Sequence, residues 1–255
     1  MKITEVTGAV LTALLASSAA FGQMPPRPPP GPPPAAKADA PIDLTGTWVS
    51  IVDEDWRWRM VTPPKGDYAS IPLSMEGKKV ADTWDPSQDG SCKAFGVGGL
   101  MRMPTRVRIS WESNDVLKIE TDAGQQTRHL YFKQDAMSAA GQKTLQGRSL
   151  AVWEHAKPLA GGMGFPSREP PPPGGSLKVL TTDIQSGWVR RNGVAYSDNA
   201  VVKEYYDRFP APDGSEWFVV TTIVEDAYFR EPFTTSSQFR RETNASKWSP
   251  TPCKG

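Results

Sequence analysis

The chain has 255 residues, with 29 lysines and arginines against 28 aspartates and glutamates, and only two histidines and two cysteines. A net charge of +1 gives no electrostatic reason to expect a nucleic-acid partner, and the length allows one large domain or two small ones. Nine tryptophans are many for a chain of this size, and they are the first indication of function.

Residues 1–22 have the pattern of a cleaved secretory signal peptide. Lys2 precedes an apolar run from Ala9 to Ala16, and small residues lead to a cleavage point after Ala20 or Gly22. The run is much shorter than the roughly 20 residues that span a bilayer. The sequence therefore predicts a periplasmic or secreted protein with no membrane span after cleavage. An uncleaved anchor is the alternative.

Beyond the signal peptide, composition divides the chain into two parts. Residues 23–41 are rich in proline and predict an extended linker. Residues 42–255 contain no break that would separate two domains, so we expect a single domain. Within it, residues 157–175 form a Pro/Gly-rich insertion, which we interpret as a loop over one end of the domain.

The only two cysteines are Cys92 and Cys253. An oxidising compartment favours a disulfide between them, which would tie the C-terminus back to the body of the domain. Closing so long a loop would stabilise the fold by roughly 5 kcal/mol in the chain-entropy model. The alternative is a pair of free thiols, one of them nucleophilic.

From Leu44 onward the hydrophobic pattern has a period of two, which is typical of β-strands. The strands predicted in this way cover residues 44–52, 55–61, 105–111, 116–121, 126–133, 149–154, 177–182, 200–209, 216–224 and 235–242. The third to fifth strands are separated by tight turns and predict a meander, and Pro212-Asp213-Gly214 predicts a hairpin turn. Only residues 74–83 have helical spacing.

About ten antiparallel strands with short connections predict an all-β protein, an up-and-down (lipocalin-like) β-barrel with one short helix, because closure removes exposed sheet edges.

Gly46-Thr47-Trp48 resembles the first-strand motif of lipocalin-type barrels. In that family the tryptophan closes the barrel floor, and a disulfide commonly ties a mid-chain cysteine to one near the C-terminus. Cys92 and Cys253 stand in similar places. The Thr-Asp-x-x-Tyr pattern of lipocalins is absent.

The chain also resembles a set of uncharacterised secreted bacterial proteins. The resemblance is carried by the segments GTWVSIVDEDWRWRM, KVADTWDP, WVRRNGVAYS and EPFTTSSQFRRE, and it extends over residues 43–253. It implies one exported β-rich domain and brings no known reaction with it.

Several kinds of chemistry lose support from the residues present. His129 and His155 are far apart, and both cysteines are expected to be bonded, so a metal site with nitrogen or sulfur ligands is not predicted. The chain has no GxGxxG, no phosphate-binding Gly-Lys-Ser/Thr loop and no GxSxG motif. An enzyme with this sequence would therefore use acid–base and electrostatic catalysis without a cofactor.

Tryptophan, tyrosine and arginine recur as neighbours along the chain. Arginine presents a planar fork to a carboxylate, while tryptophan and tyrosine supply flat apolar walls. This combination predicts a site for a small aromatic or phenolic carboxylic acid, bound by Trp56, Trp58, Arg59, Arg102 and Arg208. The alternative is that the tryptophans are core residues and the arginines are solvated strand surface.

Four residues are candidates for acid–base catalysis. His129 and Tyr131 share one face of their strand, and Glu204 and Tyr206 share one face of theirs, because residues two apart on a strand point the same way. A histidine with an ordinary pKa near 6.5 is suited to moving a proton at neutral pH. The sequence leaves open which strand faces point into the barrel.

These residues support two functions of different classes. The first is a cofactor-independent lyase, a decarboxylase or C–C bond-cleaving enzyme, in which Arg59 and Arg102 hold the carboxylate, Trp58 stacks on the ring, and His129 or Tyr131 moves the proton. The second is a non-catalytic, lipocalin-like carrier of a small aromatic ligand. A cell-envelope structural protein is a third reading, supported only by the Pro-rich linker.

Overall fold

The computed structural model describes residues 33–137, 141–156 and 174–255. The predicted signal peptide, most of the predicted linker and most of the Pro/Gly-rich insertion lie outside these residues. The chain divides into Met1–Pro33 and Pro34–Gly255, and all the elements named below belong to the second unit. Within the described ranges, no helix is both long and apolar enough to cross a membrane.

Strands dominate the described residues. They are β1 (Gly46–Ile51), β2 (Arg106–Ser113), β3 (Val116–Thr121), β4 (Ala123–Gly124), β5 (Thr127–Tyr131), β6 (Arg148–His155), β7 (Gly175–Thr182), β8 (Gly187–Arg190), β9 (Val194–Tyr196), β10 (Val201–Pro210), β11 (Glu216–Glu225), β12 (Phe233–Arg241) and β13 (Thr251–Pro252). The α-helices are α1 (Trp56–Arg59), α2 (Met75–Ala81) and α3 (Val97–Leu100), and 3-10 helices cover Pro86–Gln88, Cys92–Phe95 and Gln134–Ala136.

Nine of these strands close into a barrel in the order β1-β12-β11-β10-β7-β6-β5-β3-β2. The predicted β-barrel is therefore confirmed, with two corrections. The wall has nine strands rather than about ten, and β5 pairs with β6 in parallel rather than antiparallel. Because β6 runs in the same direction as β5, the chain re-enters the wall at the end of the barrel at which β5 began.

The strand predicted for residues 55–61 is wrong, because Trp56–Arg59 forms α1. β1 already pairs with β12 on one side and β2 on the other, so no sheet edge is left for this segment. Asp55, in the left-handed region at φ 53°, turns the chain away from β1.

The helix predicted for residues 74–83 is confirmed as α2, and the Ser74 hydroxyl caps it by accepting a hydrogen bond from the Gly77 N–H at 3.1 Å.

Aromatic rings fill the centre of the barrel. Trp48 and Phe218 make an edge-to-face contact with ring centroids 5.0 Å apart, and Phe239 stacks on Phe218 at 4.7 Å. Aliphatic side chains from the surrounding strands complete this barrel core, including Ile109, Leu117, Leu130, Val179 and Val220. The barrel axis is thus occupied by packed side chains rather than by a ligand cavity of the lipocalin kind.

A layer of buried polar side chains lies beside the barrel core. It contains Arg128, Ser149, Thr181, Glu204, Thr222 and Ser237. The Arg128 guanidinium donates two hydrogen bonds to the Glu204 carboxylate, at 3.0 and 2.6 Å, and the Tyr206 hydroxyl donates a third at 3.2 Å. Burial acts to lower the pKa of Arg128, but the charge and hydrogen bonds of Glu204 together with those of Tyr206 outweigh it and leave that pKa raised. The polar layer therefore contains a bidentate ion pair inside the barrel, in which Arg128 Nε is the one guanidinium nitrogen with no hydrogen-bond partner among the described residues.

Residues 52–105 and 183–200 form a cap over the end of the barrel next to the polar layer. The cap contains α1, α2, α3 and the β8–β9 hairpin, and it has apolar clusters of its own around Val97 and Tyr196 and around Leu100 and Trp188. Cys92 in the cap is bonded to Cys253, so the predicted disulfide is confirmed. β13 also pairs with β4 and holds the C-terminal segment close to the same bond.

The opposite end of the barrel is covered by residues 34–45. The Trp153 indole donates to the Ala36 carbonyl at 2.8 Å, and the Ala36 N–H donates to the Asp115 carboxylate at 3.0 Å. Ala36 and Leu44 are buried against the barrel core. Residues 34–41, which the sequence predicts to be linker, contact the barrel through Ala36, which is buried in its core, and Ala40, which packs against that core.

The buried ion pair gives a test of this fold. Arg128→Met leaves the Glu204 charge buried without its partner, so we expect the free energy of unfolding to fall by about 3–5 kcal/mol in urea denaturation. The double variant Arg128→Met/Glu204→Leu should regain most of that loss. The matched control is Lys203→Met, which removes an outer-wall pair with Glu225 at 2.6 Å and should cost less than about 1 kcal/mol. Equal losses for Arg128→Met and Lys203→Met would contradict the buried network.

Candidate functional site

The cap encloses a pocket whose walls carry tryptophan and arginine from two separate stretches of chain. We call it the arginine pocket; its walls are formed by Trp58, Arg59, Ala94, Gly99, Arg102, Met103 and the stretch Trp188, Val189, Arg190 and Arg191. Its volume of about 10 Å³ is close to the room that one water molecule needs. It therefore has space for an atom-sized group such as a halide ion or a carboxylate oxygen.

Two glycines allow these walls to approach each other. A side chain at Gly99 of α3 would place its first carbon 2.2 Å from the Trp188 carbonyl oxygen, so only glycine lets α3 lie directly on β8. Gly193, at φ 83°, forms the turn of the β8–β9 hairpin. The hairpin then carries Arg190 and Arg191 to the side of the pocket that faces α1 and Arg102.

Backbone carbonyls hold most of the arginine side chains in place. Arg59 Nε donates to the Arg102 carbonyl at 2.8 Å, and Arg191 Nη2 donates to the Arg59 carbonyl at 3.2 Å. Arg190 Nη2 donates to the Ala69 carbonyl at 2.9 Å. Carbonyl oxygens are neutral, so these bonds orient the guanidinium groups without neutralising their charge.

Few carboxylates balance these cations. Among the described residues, only Asp55, 3.3 Å from Arg102 Nη2, and Asp67, 3.1 Å from Arg57 Nη2, form ion pairs with the arginines in and around the pocket. The arginines concerned are Arg57, Arg59, Arg102, Arg190 and Arg191. The charges of Asp53 and Glu54 also act on Arg59, so four carboxylates face these five arginines and leave a small excess of positive charge.

Three of the arginines are almost completely buried. Arg59, Arg102 and Arg190 are 4%, 5% and 3% exposed. Burial, followed by repulsion from Arg102, lowers the pKa of Arg59 and of Arg190 to about 10. Burial also lowers the pKa of Arg102. Arg59 and Arg190 stay protonated at neutral pH, and Arg59 Nη2 is buried with no hydrogen-bond partner among the described residues.

Trp58 supports the arginines from one side. The guanidinium carbons of Arg57 and Arg190 each lie 4.7 Å from the centroid of its ring, and its indole N–H donates to the Asp67 carboxylate at 3.0 Å. The ring thus stabilises two cations by cation–π contact and fixes their positions.

The structure brings together three of the five residues predicted to bind a ligand, namely Trp58, Arg59 and Arg102. Trp56 lies on the same helix but is exposed. Arg208 lies at the opposite end of the barrel, where it pairs with Glu216. The adjacent Trp and Arg residues of α1 therefore meet at one site, while Arg208 belongs to a separate ion-pair cluster.

The four predicted acid–base residues do not line the arginine pocket. His129 and Tyr131 point out of the barrel wall, and His129 Nε2 lies 3.3 Å from the Glu112 carboxylate. Glu204 and Tyr206 point into the barrel and belong to the buried network around Arg128. Burial raises the pKa of Tyr206 above its ordinary value.

Sequence reasoning did not select Arg190, Arg191 or Arg128 as site residues. A signal for the first two was present, because Trp188 to Arg191 repeats the Trp/Arg pairing of Trp56 to Arg59. Arg128 had no such signal, since its partner Glu204 is remote in sequence and meets it only after the barrel closes.

No protein-family model, no curated protein and no solved structure matches this chain. In the part of the chain that the structure describes, no group of three or more histidine, cysteine, aspartate or glutamate side chains is arranged to hold a metal ion.

The excess charge of the pocket predicts an unusual response to mutation. Arg59→Met removes one hydrogen bond to the Arg102 carbonyl, but it also removes a desolvated charge that Arg102 repels. These effects oppose each other, so we expect the free energy of unfolding to change by less than about 1 kcal/mol in low-salt urea denaturation. A loss of about 3 kcal/mol or more would identify Arg59 as a structural residue rather than a ligand-binding one.

Proposed function

We propose that this protein is an exported binding protein that holds a small organic carboxylate by its anionic group in the arginine pocket. The observation that carries the proposal is the buried Nη2 of Arg59, which has no protein partner among the described residues and lies in a cluster of incompletely paired arginines. A buried cation is stable only when it is paired. A ligand carboxylate can accept hydrogen bonds from Arg59 and supply the missing negative charge.

The dimensions of the pocket favour a single, small anionic group. A volume of about 10 Å³ suits one carboxylate oxygen or a halide ion and leaves no room for a whole ring. The ligand's anionic group would therefore enter the pocket, and the remainder of the ligand would lie outside it.

Binding without turnover is favoured over lyase chemistry. A lyase needs a group that moves a proton within hydrogen-bond reach of the substrate. His129 and Tyr131 lie on the outer wall, and Glu204 and Tyr206 are enclosed in the barrel. Two further carboxylates beside the pocket, Asp55 and Asp67, are ion-paired with arginines.

The disulfide supports an extracytoplasmic location. A bond between Cys92 and Cys253 persists in oxidising compartments such as the periplasm. Together with the predicted signal peptide, it supports a periplasmic or secreted binding protein.

Titration calorimetry in a chloride-free buffer tests the proposal, with benzoate as ligand and benzamide as its uncharged analogue. We expect the wild-type protein to bind benzoate and not benzamide. Arg59→Met and Arg102→Met should each weaken benzoate binding at least tenfold, because a hydrogen bond to a charged group contributes about 1.5–3 kcal/mol. The matched control, Arg240→Met, removes an arginine that stacks on Trp217 at the opposite end of the barrel and should leave binding unchanged.

Two results would contradict this function. If all three variants and the wild type bind benzoate equally, or none does, the arginine pocket is not the site. If the ultraviolet spectrum of 4-hydroxybenzoate changes progressively with the wild type and not with His129→Ala, the protein is an enzyme and the non-catalytic assignment fails.

A further inference from the structure

We infer that chloride occupies the arginine pocket in competition with the carboxylate ligand, so that the chloride concentration around the protein regulates the affinity for that ligand. The inference rests on the proposed function of the arginine pocket. It adds a second occupant of the same site and a means by which the ligand is released.

Three buried nitrogens of the pocket residues have no hydrogen-bond acceptor. Besides Arg59 Nη2, the Nε atoms of Arg190 and Arg191 are buried without a hydrogen-bond partner among the described residues. All three residues line the arginine pocket. A buried donor that is left unpaired is costly, and a charged donor is more so. One occupant that accepts hydrogen bonds from all three nitrogens would remove that cost.

The three donors come from two facing walls of the pocket. Arg59 belongs to α1, whereas Arg190 ends β8 and Arg191 follows it in the turn to β9. Hydrogens approach an oxygen of a carboxyl group close to the plane of that group. A halide ion is spherical and accepts hydrogen bonds from any direction. A halide is therefore better suited than a single carboxylate oxygen to accept from all three donors.

The charge of the site selects a monovalent anion. Five arginines in and around the pocket face four carboxylates, which leaves an excess of one positive charge. One monovalent anion neutralises this excess, whereas a divalent anion such as sulfate would leave a negative charge uncompensated. A buried charge without a partner is strongly unfavourable. Chloride has the required charge, and it is the commonest monatomic anion in natural waters.

The size of the pocket makes the two occupants mutually exclusive. A volume of about 10 Å³ has room for one atom-sized group, so a chloride ion and a carboxylate oxygen cannot be present together. Because both ions use the Arg59 donor, each displaces the other. Each tenfold rise in chloride above its own Kd therefore weakens carboxylate binding about tenfold.

The linewidth of the chloride NMR signal tests occupancy directly, because chloride bound to a protein relaxes much faster than chloride in solution. Sodium chloride is titrated into the wild type, Arg59→Met, Arg191→Met and the matched control Arg240→Met. We expect the wild type and Arg240→Met to broaden the signal equally, and benzoate to reverse the broadening. Arg59→Met and Arg191→Met should each bind chloride about tenfold more weakly or worse, since each loses a hydrogen bond from a charged donor.

Competition is measured by titrating the wild type with benzoate in mixtures of sodium chloride and sodium sulfate at constant ionic strength. We expect the apparent Kd for benzoate to rise as chloride replaces sulfate, by about tenfold for each tenfold increase in chloride above its own Kd. General screening depends on ionic strength alone, so by itself it would leave the Kd for benzoate unchanged.

The outcomes separate the two proposals. If Arg59→Met broadens the chloride signal as much as the wild type does, or if benzoate binds equally in all the salt mixtures, the inference is overturned. The proposed function still stands in either case when the wild type binds benzoate more tightly than Arg59→Met does. If the wild type binds no benzoate even without chloride, the proposed function fails, and the competition fails with it.

Discussion

The bidentate pair between Arg128 and Glu204 divides the interior of this protein into two parts. On β10, Glu204 lies between Val202, which packs with the cap, and Tyr206, which packs with the barrel core. On β11, Thr222 lies in the same way between Val220 and Val224. A buried charge without a partner is strongly destabilising. The fold tolerates the polar layer because the Arg128–Glu204 pair is bidentate and Tyr206 donates a further hydrogen bond to Glu204. One packed core therefore fills the barrel, and a second is built above it by the cap.

This division explains where recognition can occur. A lipocalin-like site would lie inside the barrel, but the packed rings of Trp48, Phe218 and Phe239 occupy that space. The cap, in contrast, buries arginines that are oriented by backbone carbonyls and only partly paired with carboxylates. Proteins commonly retain groups that are unfavourable for stability where those groups serve binding. The arginine pocket fits that pattern, whereas the Arg128–Glu204 pair, bidentate and enclosed between opposite charges, fits a structural role.

Much of the fold could be predicted from local pattern, and the exceptions have physical reasons. Period-two alternation predicted the strands of the wall, and the presence of only two cysteines, in a chain predicted to be exported, predicted the disulfide. The strand predicted for residues 55–61 was wrong. Alternating Trp and Arg residues are typical of a strand, and the pairing of β1 on both sides, which leaves no edge for such a strand, is known only from the structure. The parallel pairing of β5 with β6 depends on the connection between them, whose direction no short-range pattern specifies.

At the candidate site, Trp58, Arg59 and Arg102 could be selected from the chemistry of their side chains. The outward direction of His129 and the ion pair between Glu204 and Arg128 could not, because both depend on the register of the closed barrel.

We propose that the buried guanidinium groups of the cap form a site for an anion. The most direct measurement is an anomalous difference map from a crystal of the protein soaked in bromide, because a halide has the size and charge that the pocket accepts. If the arginine pocket is an anion site, we expect a bromide peak in contact with Arg59 Nη2 and with the guanidinium group of Arg102 or Arg190. Bromide bound only at the outer surface, with a carboxylate or carbonyl of the protein itself bonded to Arg59 Nη2, would contradict it.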